Sequence, residues 1–182
     1  LLIIAALTPK IFKITVIDEN YDPIDFKKEY DIVGITAMTQ QASRAYEIAD
    51  AFRKKNTKVI IGGIHATSLP EEAKQHSDSV VVGEAEEIWA LFLKDFGENR
   101  IKPFYKSSGL VDLTKSPMPR YDLLDKKNYN VVWVQATRGC PRDCDFCAAS
   151  KVYAKAFLTK IVSQVIADVV DAKKVAKGLL IL

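Results

Sequence analysis

The sequence predicts an α/β protein, in which a small doubly wound parallel sheet is followed by the first β-α-β unit of a second parallel domain. Between Phe12 and Phe96, short runs rich in β-branched residues alternate with segments whose apolar residues repeat at helical spacing. Such alternation is typical of crossover units, which build parallel sheets. Glycine and proline residues break this rhythm over residues 97–130 and favour a linker.

Four strands are predicted in the first domain. The second of them is apolar along its whole length, as expected for a parallel strand that is covered on both faces. The predicted strands are Lys13–Ile17, Asp31–Thr36, Lys58–Ile61 and Ser79–Val82.

Three helices are predicted between and after these strands. The first has Ser43 as its N-cap and an apolar face, which consists of Ala45, Ile48, Ala49 and Phe52. The second covers Leu69–His76, because a capping box at Ser68 coincides with a proline in the first turn. The third covers residues 85–96, and acidic residues at its start suit the positive end of a helix dipole.

The second domain begins with a predicted strand at Val131–Ala136. A helix is marked by apolar residues from Val162 to Val170, and a further strand follows at Leu179–Leu182. The predicted division is therefore a first domain at 1–97, a linker at 98–130 and the start of a second domain at 131–182. We expect the chain to be part of a longer protein, with the first strand of the sheet before Leu1 and most of the second domain after Leu182.

The composition excludes several classes of protein. The 182 residues are 48% apolar and 27% charged, with 8 glycines and 7 prolines, which is typical of globular domains and not of disordered or collagen-like chains. The apolar run Leu1–Leu7 is too short to span a bilayer, which takes roughly 20 residues. The net charge of +3 is spread in short pairs without interleaved aromatic residues, so we expect no nucleic-acid partner and no transmembrane segment.

All three cysteines fall within eight residues, in the spacing C-x3-C-x2-C formed by Cys140, Cys144 and Cys147. An odd number of cysteines this close together does not suit a disulfide framework, and favours thiolates in a reducing compartment. Three thiolates on one loop can bind three irons of a cubane cluster and leave the fourth iron open. A structural zinc site is less favoured, because it takes four ligands and the two histidines, His65 and His76, lie far away in the sequence.

The cysteine loop, with Phe146 directly before the third cysteine and Arg138-Gly139 before the first, resembles the signature of the radical S-adenosylmethionine superfamily. The resemblance implies that Cys140, Cys144 and Cys147 hold a [4Fe-4S] cluster. Its open iron would chelate S-adenosylmethionine, and one electron would cleave this cofactor to a 5′-deoxyadenosyl radical. The residue matching Phe146 would lie against the adenine, and the second domain would be the start of a partial TIM barrel.

Ligands of open parallel sheets bind at the carboxyl ends of the strands. The first domain could on this basis be a generic nucleotide fold, a regulatory receiver or a cobalamin module, although the glycine-rich phosphate-binding motifs are absent. Glycines after two of the strands allow a close backbone approach to a ligand. The candidate residues at these strand ends are Thr36, Ala37, Met38, Gly62, Gly63, His65, Thr67, Gly83 and Glu84.

The run Gly62–Glu72, followed by Val81–Glu87, resembles the cobalamin-binding domain of cobalamin-dependent radical S-adenosylmethionine enzymes. The stretch Ser116–Leu124 is similar to the connector of that class. The resemblance implies a Rossmann-like domain of the cobalamin-binding type, whose loops hold cobalamin through packing and backbone contacts. His65 is expected to be a polar contact or a loop-packing residue rather than an axial cobalt ligand, and His76 a surface residue.

The function that these resemblances imply is methyl transfer to an unactivated carbon, with a [4Fe-4S] cluster, S-adenosylmethionine and cobalamin as cofactors. One alternative is a cobalamin-dependent radical cyclisation or rearrangement without methyl transfer. A second alternative is an iron-sulfur module for electron transfer or sensing. The implied partners are a small-molecule or lipid-like substrate and an external electron donor of the flavodoxin or ferredoxin type, in the cytoplasm. No residue of the chain is nominated as a catalytic acid or base, because the radical chemistry belongs to the cofactors.

Overall fold

The computed structural model describes residues 1–107, 109–142, 144–147, 153 and 156–181. The helices α1 to α6 span Leu2–Leu7, Ala42–Arg53, Ile64–Ser68, Pro70–Gln75, Trp89–Gly97 and Val162–Ala172. The strands β1 to β8 span Ile32–Thr36, Lys58–Gly62, Ser79–Val82, Phe104–Lys106, Val131–Val134, Thr137–Arg138, Leu158–Thr159 and Gly178–Ile181. The chain forms two compact units, a central unit at Ile24–Gly109 and a split unit at Leu1–Pro23 and Leu110–Leu182.

The central unit contains a four-stranded sheet in the order β1-β2-β3-β4, and every neighbouring pair is parallel. Five residue pairs from Ile32↔Lys58 to Thr36↔Gly62 fix the register of the first two strands. The sequence-based prediction of a parallel α/β fold is confirmed for this unit. Strand β4 lies within the stretch that the sequence predicted to be a linker, because its three residues are too few for a clear periodic pattern.

The core of the central unit lies where α2 packs on the sheet. Ile48, Ala49 and Phe52 of α2 are buried against Val59 and Ile61 of β2. These α2 residues are spaced three and four apart, so they share one face of the helix. The apolar face predicted from the sequence is therefore the face that packs on the sheet.

The split unit has its own apolar core. Strand β5 pairs in parallel with β8, and Val132 and Val134 are buried with Ala172 of α6. Next to this core, the ammonium group of Lys160 lies 2.5 Å from a carboxylate oxygen of Asp168. Only 1% and 4% of these two side chains are exposed, so the charges form a buried ion pair.

The predicted strand at Lys13–Ile17 is wrong, because these residues form neither a helix nor a strand. A strand requires a neighbouring ladder of hydrogen bonds, and none of the described residues supplies one to this segment. The residue that follows it, Asp18, instead accepts a hydrogen bond from the Tyr129 hydroxyl at 3.0 Å. This contact joins the two segments of the split unit, Leu1–Pro23 and Leu110–Leu182.

The predicted helix starts also need correction. Helix α2 begins at Ala42 after a 3-10 turn at Thr39–Gln41, so Ser43 is not its N-cap. The predicted helix at Leu69–His76 is preceded by a separate short helix, α3, and the Ser68 hydroxyl donates to the Ile64 carbonyl oxygen at 2.9 Å instead of capping the next helix. Helix α5 begins at Trp89, so the acidic residues before it lie outside its first turn.

Other boundaries differ from the predictions by a few residues. Strand β5 ends at Val134 rather than Ala136, and α6 continues to Ala172. Strand β8 begins at Gly178, and Leu182, the last residue predicted for it, lies outside the described residues.

Replacing Phe52 by Ala is expected to lower the free energy of unfolding of the central unit by about 3–5 kcal/mol. Phe52 is 2% exposed, and its ring lies 5.5 Å from that of Phe26 and 5.8 Å from that of Tyr30. Urea denaturation followed by circular dichroism measures the loss. The control is Leu91→Ala, since Leu91 is 43% exposed and its truncation should cost about 0.5 kcal/mol or less. Equal losses for the two variants would contradict the proposed core.

Candidate functional site

The candidate site is the edge of the central sheet where β1, β2 and β3 end. The parallel register places Thr36 opposite Gly62 and Ile61 opposite Val80. The three strands therefore finish at nearly the same level, and the loops that follow them lie side by side. Seven of the nine residues that the sequence nominated for this edge are in or directly after these strand ends, and the other two, His65 and Thr67, lie in α3, the short helix that follows β2.

The turn after β2 depends on Gly63. Its φ of 95° and ψ of −174° lie in a region that is essentially restricted to glycine. A Cβ atom at this position would lie 2.5 Å from the Thr36 hydroxyl oxygen and 3.2 Å from the Ala37 carbonyl oxygen. The absence of a side chain therefore lets the loops after β1 and β2 approach each other closely.

Hydrogen bonds join the three loops into one surface. The backbone amide of His65 donates to the Ala37 carbonyl oxygen at 3.4 Å, which connects the loops after β2 and β1. The amide of Gly83 donates to the Thr67 hydroxyl at 3.0 Å, which connects the loops after β3 and β2. Gly83 also has a positive φ of 86°, so this second connection again uses a conformation that glycine favours.

The side chains at this edge differ in their exposure. Met38 is 51% exposed, whereas Ala37, His65 and Glu84 are buried. Gly62 and Gly63 are half-buried and have no side chain to cover the backbone. The edge therefore offers backbone and small apolar groups to a ligand, with polar groups beneath them.

His65 belongs to a polar cluster that the sequence did not predict. Its Nε2 atom lies 2.8 Å from the Tyr46 hydroxyl and 3.4 Å from a carboxylate oxygen of Glu72. The Tyr46 hydroxyl donates to the same Glu72 oxygen at 3.1 Å. Burial, together with the hydrogen bond and the negative charge of Glu72, raises the pKa of Tyr46 to about 12. Tyr46 therefore stays protonated at neutral pH.

His76, predicted to be a surface residue, also contacts Tyr46. The two rings stack with their centroids 4.2 Å apart and an interplanar angle of 9°. The Nδ1 atom of His76 lies 2.8 Å from a carboxylate oxygen of Asp50, and 30% of its side chain is exposed. Tyr46 is off the apolar stripe of its helix, so only the tertiary fold shows that it lies between the two histidines.

The cysteine loop lies in the split unit and follows the two-residue strand β6. Gly139 precedes the first cysteine with a φ of 83°, and a Cβ atom there would collide with the Ala156 carbonyl oxygen. Cys140, Cys144 and Cys147 form no disulfide and have intermediate exposure, and the Cys147 amide donates to the Cys144 carbonyl oxygen at 3.1 Å. Asp143, within the loop, lies outside the described residues.

The three thiols match the donor chemistry of an iron-sulfur cluster, since iron in such clusters is held by cysteine thiolates. Their side chains do not converge, because no group of three histidine, cysteine or acidic side chains within the described ranges could hold a metal ion. Metal binding commonly supplies the free energy that gathers its ligands, so separated thiols in the free chain are compatible with a cluster.

A polar cavity of about 410 Å³ lies away from the candidate site, where β2 and β3 begin. Its lining is charged and includes Asp50, Arg53, Lys58 and Asp78. Asp78 is already engaged, because its carboxylate accepts from the Val59 amide at 2.9 Å and lies 3.3 Å from the Lys58 ammonium group. This cavity is therefore an ion-paired surface groove and not part of the edge formed by the strand ends.

Residues 2–93 match the B12-binding domain family. The match covers half of the chain and includes all nine candidate residues at the strand ends. The chain therefore belongs to the B12-binding domain family. Its parallel sheet is the cobalamin-binding type of Rossmann-like fold that the sequence predicted.

Two curated relatives come from Chlorobaculum tepidum. Bacteriochlorophyllide d C-8(2)-methyltransferase is 35% identical over 180 residues, which cover 94% of this chain and 40% of the relative. Bacteriochlorophyllide d C-12(1)-methyltransferase is 36% identical over 165 residues, which cover 86% of this chain and 36% of the relative. The chain thus spans about two fifths of the length of these curated relatives.

A solved structure with the same fold is that of the radical S-adenosylmethionine methyltransferase TsrM from Kitasatospora setae, with cobalamin and a [4Fe-4S] cluster bound. The TM-score is 0.62 at 14% identity, and the match covers 86% of this chain and 38% of TsrM. In the part of the chain that the structure describes, no helix is both long and apolar enough to cross a membrane.

Replacing Gly63 by Ala is expected to destabilise the central unit by about 1–3 kcal/mol, because alanine does not tolerate this backbone conformation and its Cβ would press on Thr36. Thermal unfolding followed by circular dichroism measures the effect. Gly97→Ala is the matched control, since no atom lies within 4 Å of the added Cβ and the position closes helix α5. Its stability should be unchanged or slightly higher. A Gly63→Ala variant as stable as the control would show that the loop is not constrained.

Proposed function

We propose that the chain is the cofactor-binding part of a radical S-adenosylmethionine enzyme that transfers a methyl group to an unactivated carbon with cobalamin as carrier. The observation that carries this proposal is the order of two features on one chain. A B12-binding domain match at residues 2–93 is followed by the C-x3-C-x2-C loop at Cys140, Cys144 and Cys147. The two relatives from Chlorobaculum tepidum are methyltransferases, which supports it.

The proposed cobalamin site is the strand-end edge of the central unit. The half-buried backbone at Gly62, Gly63 and Gly83 offers a surface on which a flat macrocycle can pack closely. Thr36, Ala37, Met38, Thr67 and Glu84 would surround this surface, and His65 would lie beneath it.

The proposed cluster ligands are the thiolates of the three cysteines. When bound, the cluster would supply one-electron cleavage of S-adenosylmethionine, and the cobalamin would supply methyl transfer at its cobalt. The role of Cys140, Cys144 and Cys147 is to hold three irons and to leave one coordination position open to a substrate. Phe146 is 93% exposed next to the third thiol, so its ring is available to pack on an adenine.

The proposed division of labour follows the domain prediction from the sequence. Residues 1–97 would bind cobalamin, residues 98–130 would connect, and residues 131–182 would begin the partial TIM barrel. The proposed partners are a small-molecule substrate and an external one-electron donor of the flavodoxin or ferredoxin type. Three closely spaced cysteines outside any disulfide suit a reducing cytoplasm, where disulfides are rare.

Anaerobic reconstitution with iron and sulfide tests the proposed cluster. The wild-type chain is expected to take up about four irons, and Cys144→Ala to lose the cluster, because two thiolates do not hold a cubane. Phe146→Ala is the matched variant in the same loop, which should keep the iron but weaken the response to S-adenosylmethionine. The measurements are iron content and the electron paramagnetic resonance spectrum of the reduced cluster, with and without S-adenosylmethionine.

The outcomes separate the alternatives. A cluster in Cys144→Ala would contradict the ligand assignment. A wild-type cluster whose spectrum is indifferent to S-adenosylmethionine would favour an iron-sulfur electron-transfer or sensing module. Circular dichroism should show that both variants keep the helices and sheet of the central unit, since the loop lies outside it.

A further inference from the structure

The ring of His65 is buried under the strand-end edge, at the start of α3. The imidazole is 4% exposed, and its Nε2 atom forms a triangle with the Tyr46 hydroxyl oxygen and one Glu72 carboxylate oxygen. The three edges of this triangle measure 2.8, 3.1 and 3.4 Å. All three atoms carry lone pairs, so the triangle is stable only if protons lie between them.

Counting protons fixes the tautomer of His65. Tyr46 keeps its single proton at neutral pH and donates it to a Glu72 carboxylate oxygen, which accepts it. The short contact from His65 Nε2 to the Tyr46 oxygen therefore needs a proton on Nε2. In the neutral ring this leaves Nδ1 as a bare acceptor.

The Nδ1 atom is buried and has no hydrogen-bond partner among the described residues. A buried acceptor without a donor is unfavourable. The backbone of the same residue bonds to Ala37, which ties His65 to the loop after β1. Since none of the described residues donates to Nδ1, a ligand bound at the neighbouring strand ends is a candidate for the donor.

We propose that His65 is a hydrogen-bond acceptor of fixed tautomer for a primary amide group of a bound corrinoid. Tyr46 and Glu72 act as positioning residues, which hold the ring proton on Nε2 and keep Nδ1 free to accept. This inference rests on the cobalamin-binding function proposed above. It adds the specific contact, the chemical group of the ligand and two residues that do not touch the ligand.

The chemistry of the corrinoid favours a peripheral amide over the cobalt as the partner. The macrocycle carries slender primary amide arms, which are N–H donors and can enter a narrow space. The cobalt lies at the centre of a wide planar ring. Nδ1 is the imidazole nitrogen nearer to the main chain and is buried here, so it is poorly placed to reach that centre.

Nitrogen NMR of the chain labelled with 15N-histidine tests the tautomer. Free wild type should show His65 as the Nε2–H form, and Tyr46→Phe should shift it toward a mixture of tautomers. This substitution removes the hydroxyl but keeps an aromatic ring to stack on His76. Adding diamagnetic hydroxocobalamin should shift the His65 Nδ1 resonance in wild type, and the His76 resonances should stay in place.

Equilibrium titration with hydroxocobalamin tests the contact itself. His65→Phe is expected to bind about 10-fold more weakly, the factor that corresponds to one hydrogen bond. Tyr46→Phe is expected to bind about 2-fold more weakly, because only the fraction of rings that keeps the Nε2–H tautomer can accept at Nδ1. His76→Gln is the matched control and should bind as wild type does. Circular dichroism checks folding, and Tyr46→Phe keeps the test decisive if His65→Phe does not fold.

Three results would overturn the inference in distinguishable ways. Cobalamin binding with unchanged His65 resonances would remove the contact but leave the proposed function standing. A 15N doublet splitting in the electron paramagnetic resonance spectrum of bound Co(II) cobinamide would show cobalt coordination by histidine instead. Absence of cobalamin binding by the wild-type chain would defeat the proposed function and this inference together.

Discussion

The parallel register of the central sheet is the constraint on which the candidate site depends. Val59, Ile61 and Val80 are almost fully buried. A shift of the strand pairing by one residue would turn each of these side chains to the opposite face of the sheet. The same register aligns Thr36 with Gly62. Burial of apolar side chains in the middle of the strands thus determines where the functional loops begin.

Close packing of the loops then determines what this edge can offer a ligand. Gly63 lets the first two loops approach, and single hydrogen bonds from His65 and Gly83 join neighbouring loops. Backbone groups that hold one another in this way need little reorganisation when a ligand arrives, which favours binding. The polar cluster around Tyr46 lies beneath this surface and is satisfied except at one nitrogen of His65.

The sequence predicted those features that depend on local pattern. The strands at 58–61 and 79–82, the apolar face of α2 and the glycines after β2 and β3 all follow from periodicity and turn chemistry. The prediction of a strand at Lys13–Ile17 was wrong. Its residue types favour a strand, but none of the described strands pairs with it. Strand β4 was missed because three residues are too short to show a period.

In the candidate site, too, the features that follow from local sequence pattern could be predicted, and those that depend on the tertiary fold could not. The nine strand-end residues could be named from the sequence, because the carboxyl ends of parallel strands must share an edge. The partnership of Tyr46 and Glu72 with His65 could not, since these residues come from three different helices and meet only after the sheet has formed. The cysteine spacing predicted a donor set, but within the described ranges the three cysteines do not form a group that could hold a metal ion. Metal binding commonly supplies the free energy that gathers its ligands, so the sequence of a free chain cannot give their convergence.

The buried ion pair of Lys160 and Asp168 has a consequence for the descent of this protein. Losing one partner strands a charge in the interior and costs about 3–5 kcal/mol, whereas replacing both by apolar residues of similar volume is often neutral or stabilising. A single substitution at either position is therefore strongly destabilising, whereas a double substitution by apolar residues is tolerated. We therefore expect positions 160 and 168 to covary among related sequences.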